Sequence, residues 1–153
     1  MSTNHTPPVS DLKLLIRFFK EYADRIHHHS EEDILFVALE KSRSRTMRRM
    51  LEKLGTQHVI GRMLVAQMTE ALTGAKTNRR GWRKQLIENA VAYHALLSVH
   101  ICDEDHIFFP AADKVLVRMA FRGRPRLPEK EIQNKIRLES GITRLGRLYL
   151  GTP

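Results

Sequence analysis

The stretch His27-His28-His29-Ser30-Glu31-Glu32-Asp33-Ile34-Leu35-Phe36-Val37 lines up without a gap against His100-Ile101-Cys102-Asp103-Glu104-Asp105-His106-Ile107-Phe108-Phe109-Pro110. Each copy holds a histidine, a glutamate four residues on, a second acid, then isoleucine and an apolar pair. On an α-helix, residues four apart lie one above the other on the same face. An imidazole and a carboxylate stacked in that way can reach one metal ion together. A block of this kind arises by accident once; in matching context it occurs here twice, which predicts a metal site built between helices.

The flanking sequence carries helical periodicity. Leu12, Ile16, Phe19 and Ala23 recur at three- and four-residue steps after Pro7-Pro8, with Ser10 as the expected N-cap. Continued at about 100° per residue, that stripe passes some 60° from His27, and His28 falls nearly opposite it. The phase therefore selects His27 as the inward histidine and leaves His28 and His29 to solvent. This helix is expected to end near Lys41. A second runs from about Arg45 to Leu72, with Met47, Leu51, Leu54, His58, Gly61, Val65, Met68 and Leu72 on one face and Gly74 as a stop. A third extends from about Gly81 to Leu116. Its stripe is Trp82, Leu86, Tyr93, Leu97, His100, Glu104, Ile107 and Ala111, and Pro110 should bend it slightly. Beyond an Arg/Gly/Pro-rich break, a weaker pattern predicts a helix from about Glu129 to Leu150. The fold class is all-α, an antiparallel helix bundle. The expected organisation is a tail over 1–9, the bundle over 10–118, and a basic loop with a C-terminal helix over 119–153.

His27 and Glu31, His58, and His100 and Glu104 each fall on or beside the core-facing stripe of a different helix. Charged groups directed toward a core are costly unless paired or bound to a metal. Two independent His–Glu hydrogen bonds would explain either pair alone; five such residues on three helices favour a metal. Mixed imidazole and carboxylate donors suit iron, manganese or zinc. The lack of thiolates excludes a structural zinc finger. Cys102, on another face from His100, reads as a small packed residue. Glu32 and Asp105 read as hydrogen-bond partners of the ligands, and His94 and His106 as peripheral.

The two blocks, together with Gln57-His58 three residues before Gly61-Arg62, resemble the hemerythrin-like HHE cation-binding family over roughly Asp11 to Leu116. The resemblance implies a four-helix bundle around a non-haem di-iron centre. In it His27, His58 and His100 are terminal nitrogen ligands, and Glu31 and Glu104 are carboxylates bridging the irons. Ferritin-like di-iron proteins use Glu-x-x-His instead. The family pattern also begins with a further helix that carries a histidine, and only His5 precedes Ser10 in this chain. The missing wall could come from the C-terminal helix, with Ile132, Ile136, Ile142 and Tyr149 packing and Glu139 reaching inward. It could equally come from a second subunit in a homodimer; a start recorded too far downstream or a degenerate site are the remaining arrangements. Oxygen-carrying hemerythrins place a second histidine four residues after the middle one, where this chain has Arg62. Fewer nitrogen ligands leave more open iron positions, which implies binding of dioxygen, nitric oxide or peroxide, or plain iron handling, over stable oxygen transport.

Composition supplies a second expectation. The chain has 153 residues, enough for one core, and 26 basic against 17 acidic side chains give a net charge of +9. Arg122-Gly123-Arg124-Pro125-Arg126 resembles the core of an AT-hook, whose arginines lie in the narrow minor groove of A·T-rich DNA. The alternative function is thus nucleic-acid binding through Arg122, Arg124 and Arg126. No catalytic Ser/His/Asp pattern, phosphate-cradling loop or dinucleotide fingerprint appears. A single cysteine, no secretory signal and no apolar run near ~20 residues predict a soluble cytoplasmic protein without a membrane partner.

Overall fold

The computed structural model describes residues 7–77, 79–119 and 129–150, and there the backbone forms four helices. Helix α1 covers 9–40: Val9–Phe18 passes into π-helical turns at Phe19–His28 and Glu31–Phe36, and Val37–Glu40 ends it at Lys41. Helix α2 is Arg45–Lys76. Helix α3 covers 82–118 with one π turn at Glu104–Phe108, and α4 is Glu129–Leu150.

Local chemistry accounts for most of the ends. Ser44 caps α2 by accepting the Met47 N–H at 3.2 Å. Gly81, at φ 86°, takes the left-handed conformation that starts α3 and that L side chains resist. At the start of α1 the expected Ser10 cap is replaced by Pro8, whose carbonyl accepts Asp11 N–H at 3.0 Å and Leu12 N–H at 3.3 Å. Proline is preset for that entry, and its own lack of an N–H costs nothing ahead of a helix. Gly74 does not stop α2, which runs on to Lys76.

The α2 stripe is buried as its spacing predicts, and it arranges the interior in three layers. Phe36, Leu39, Met47, Leu51, Leu54, Phe108 and Ala112 form one apolar cluster. Ile16, Val65, Met68, Ala71, Leu72, Leu86 and Tyr93 form the other. Between them, at the level of His58, lies a polar layer of His28, Glu31, His58, His100 and Glu104, all buried. Each large apolar side chain withdrawn from water contributes roughly 1.5–3 kcal/mol, so the two clusters hold the polar layer in place at a cost the layer alone could not meet.

On α3 the structure corrects the stripe. Ile107 is 54% exposed, while Phe108 is fully buried with Ala112 beside it. A π turn closes i→i+5 instead of i→i+4, so each residue advances less around the axis than the ~100° of an α-helix. After Glu104–Phe108 the inward face has therefore moved on by one residue.

Helix α4 lies along α1. A Cβ on Gly141 would come within 3.0 Å of Leu14 Cδ2, so glycine permits the close approach. Asn134 donates to Glu21 Oε2 at 2.8 Å, and the Tyr149 hydroxyl donates to Asp11 Oδ2 at 2.8 Å. The face of α4 differs from expectation: Leu138 is its buried residue, Ile136 is exposed, and Glu139 pairs outward with Lys135 at 3.8 Å. With Leu138, Ile142 and Tyr149 toward α1, the helix phase turns 136 and 139 outward.

Candidate metal centre

The polar layer is assembled by three helices. From α2, His58 sits with its Nδ1 2.7 Å from Glu32 Oε1. A carboxylate oxygen accepts, so the Nδ1–H donates and Nε2 carries the lone pair. From α3, His100 Nδ1 lies 2.9 Å from Gln57 Oε1, and the Gln57 amide nitrogen donates to Asp103 Oδ2 at 3.0 Å. The amide oxygen therefore faces His100, which again places the proton on Nδ1. Both rings turn Nε2 into the layer, the arrangement in which a partner behind a histidine fixes its tautomer for a metal.

Two carboxylates face those nitrogens. His100 Nε2 is 2.9 Å from Glu104 Oε1, and His58 Nε2 is 3.5 Å from Glu31 Oε2. Despite this proximity, both Nε2 atoms, both oxygens of Glu31 and Oε1 of Glu104 are buried without an aligned hydrogen bond. One donor atom from each of Glu31, His58, His100 and Glu104 falls within 4.8 Å of the others. Buried polar groups are almost always hydrogen-bonded, so acceptors converging on one point without a donor fit a cation between them. Histidine nitrogen with carboxylate oxygen is also the donor mixture that iron, manganese and zinc accept.

Electrostatics state the same frustration. Burial pushes the Glu31 carboxyl up to about 8, with the neighbouring Glu104 charge adding to the rise against the pull of His27. Burial would raise Glu104 too, but positive charge on the imidazoles of His100 and His27 outweighs it and holds that carboxyl down at about 2, the place that a cation would take where His100 Nε2 is bare. Without a cation, the pair keeps one proton. Burial also lowers the His58 ring against the upward pull of Glu32, which keeps it neutral.

The neighbouring histidines trade places relative to the sequence reading. His28, expected in solvent, is buried and stacks on His58 at 4.0 Å between ring centroids. Its Nδ1 has no hydrogen bond, and burial lowers its pKa to about 3. The cause is the π turn Phe19–His28: with less rotation per residue, the 100° extrapolation from Leu12 and Ile16 overshoots, and His28 comes inward. His28, His58 and His100 form a second, overlapping group of potential donors. His27 stands at the rim with its side chain 43% exposed, yet its Nε2 lies 3.8 Å from Glu31 Oε1 and 3.7 Å from Glu104 Oε2. The Glu104 contact raises its pKa over the opposing effect of burial. All five residues singled out from the sequence therefore meet at this layer, four inside and His27 at its edge.

Of the expected outer partners, Glu32 serves His58, but Asp105 is exposed and the role falls to Asp103. Asp103 also receives Lys53 at 2.7 Å. The signal available for it was its place three residues after His100, on the side of α3 that meets α2. His29 is exposed as expected, and Cys102 is exposed instead of packed. A cavity of about 510 Å³ opens beside the layer, with His28, Asp24 and Arg62 in its wall and Phe19 and Tyr93 as apolar lining.

The profile of the hemerythrin HHE cation binding domain matches residues 2–112, a span that takes in α1, α2 and most of α3 with the whole polar layer. The chain belongs to this family. Two uncharacterized proteins, from Mycobacterium tuberculosis and Mycobacterium bovis, are each 30% identical to it over 110 residues, covering 72% of this chain. The match takes in 41% of each, so the chain spans about two fifths of the length of these relatives. No solved structure matches. The HHE assignment and the His/Glu cluster together fit a metal-binding protein. Among the described residues no helix is long and apolar enough to cross a membrane. Arg122, Arg124 and Arg126, the proposed minor-groove residues, lie outside the described residues.

Proposed function

We propose that this HHE domain holds non-haem iron, as a di-iron centre, and binds or senses a small ligand such as dioxygen, nitric oxide or peroxide. The observation that carries the reading is the convergence of two bare histidine Nε2 atoms and two buried carboxylates, none with an aligned hydrogen bond. Glu31 and Glu104 would supply carboxylate charge to the metal, His58 and His100 would supply nitrogens, and His27 would complete the set from the rim, where its Nε2 lies between one oxygen of each carboxylate. Iron bound there would supply a redox-active Lewis acid.

The protein's own part is positioning. Glu32 and Gln57 hold the two imidazoles in one tautomer, so no ring must turn when the ion arrives. Apolar clusters above and below exclude water and strengthen every charge interaction inside. Arg62, at the position of a further histidine in oxygen carriers, is engaged with Asp24 and Glu32 and adds no nitrogen donor. The cavity lies against His28, which stacks on His58, so it brings a small molecule to the edge of the layer.

The test is metal content with an absorption spectrum after anaerobic loading with ferrous iron. About two irons per chain are expected, with a spectral change on adding nitric oxide or oxygen and loss of uptake in the Glu31→Ala Glu104→Ala double variant. Preference for zinc or manganese over iron, or a loaded protein silent to both gases, would sink the reading.

A further inference from the structure

Arg62 lies on α2 one turn beyond His58, and its guanidinium grips α1 at two points. Its Nε donates to Asp24 Oδ1 at 2.6 Å, and its Nη2 donates to Glu32 Oε1 at 2.8 Å. That same Glu32 oxygen accepts the His58 Nδ1–H at 2.7 Å. Asp24 belongs to the π stretch that ends with His27 and His28, and Glu32 to the π turn that follows. The fork thus spans the segment whose winding places His28 inside and His27 at the rim.

We infer that Arg62 is a positioning residue for the metal centre, acting through Glu32 to fix the orientation and the donor strength of His58 Nε2. This rests on the reading of the polar layer as a metal site. Glu32 is half-buried, and a carboxylate there needs a compensating charge or it turns to water. Arg62 compensates it, keeps it against His58, and draws electron density away from the oxygen it shares with the ring. The guanidinium suits this task because it is planar and directs two donors at two separate carboxylates; a lysine ammonium carries the charge without the fixed fork. Asp24 is the anchor that prevents the fork from rotating.

Two readouts test it. In the metal-free protein, long-range proton–nitrogen NMR of the histidine rings should show His58 protonated at Nδ1. Arg62→Met and Glu32→Gln should each give a mixture of tautomers, while Arg62→Lys retains most of the wild-type form. In the loaded protein, cobalt(II) affinity measured against a competing chelator should fall about 10-fold in Arg62→Met and Glu32→Gln, with a smaller loss in Asp24→Asn. The midpoint potential of bound iron should move in opposite directions. Removing the Arg62 cation leaves Glu32 more basic and lowers the potential; removing the Glu32 charge raises it. Charge alone also gives opposite signs, so the tautomer of His58 in the metal-free protein is the readout that a merely structural clamp would not move. Shifts of the same sign, or an unchanged His58 tautomer in both Arg62→Met and Glu32→Gln, would overturn the inference. Circular dichroism and melting of each variant, with Arg62→Lys as the conservative partner, separate these effects from loss of fold. Wild-type protein that takes up no metal would defeat the functional reading, and the metal-free NMR comparison would still decide whether Arg62 sets the ring.

Discussion

The two copies of the histidine–glutamate block begin as the same sequence pattern and end as different structures. In the copy on α3, His100 and Glu104 are buried together, and a single π turn follows. The α1 copy is preceded by the π stretch Phe19–His28 and contains another at Glu31–Phe36. There His28 is buried instead of the aligned His27, and Phe36 is buried where alignment points to Leu35, the counterpart of Phe108. Glu31 and Glu104 alone keep equivalent places. The comparison teaches that local winding decides which face of a similarly patterned block looks inward.

The largest effect should come from the apolar residue that each copy buries. Phe108→Ala removes a fully buried ring and should cost ~3–5 kcal/mol of unfolding free energy. The aligned Leu35→Ala, half-buried beside the same cluster, should cost less than half of that. Urea denaturation of the two variants reads the difference directly, and equal costs would mean that the copies are wound alike.

The carboxylates offer a sharper test, because the structure makes them unequal. The Glu31 pKa in the folded metal-free protein lies at about 8, above its ordinary value. Between about 4.5 and 8 the folded state therefore holds a proton that the unfolded chain releases, and stability falls as pH rises through that window. Glu31→Gln should remove this slope and stabilise the metal-free protein at pH 8 by ~1–3 kcal/mol. Glu104→Gln, which replaces a carboxylate held well below its ordinary pKa, should stabilise nothing. Denaturant titrations at pH 5 and pH 8 check both.

The adjacent histidines should separate by property. His27→Ala should weaken iron uptake by about 10-fold and leave the melting temperature of the metal-free protein nearly unchanged, since the side chain is at the rim. His28→Ala opens space under the His58 ring and should cost ~1–3 kcal/mol of stability with iron stoichiometry retained. The reverse pattern would show that α1 rewinds when the metal enters and presents His27 in place of His28.

Much of this could be read in the chain. The α2 stripe from Met47 to Leu72 holds at every position because that helix is regular and its apolar period is unbroken. The doubled block and the α2 stripe pointed to the buried polar layer for the same reason: both glutamates, His58 and His100 stay within the reach of a 3.6-residue repeat. What escaped the sequence are the consequences of π turns, which alter rotation per residue; on α1 no proline marks them, and on α3 Pro110 stands just after the turn. Hence His28 for His27, Phe108 for Ile107 and Ala112 for Ala111. The face of α4 escaped for a different reason. Its apolar residues are sparse enough that several phases fit, and close packing of Gly141 against Leu14 settles the choice.

The supports behind the two imidazoles are chemically unlike. His58 gives its Nδ1 proton to a carboxylate, Glu32, whereas His100 gives its own to the neutral amide of Gln57. A charged acceptor leaves the ring nearer to an imidazolate, and a neutral one leaves it an ordinary imidazole. The centre is thus lopsided by construction: its two nitrogen donors differ in basicity before any ion is present. Two ions of the same element held there would be inequivalent, and a one-electron change would settle on one side.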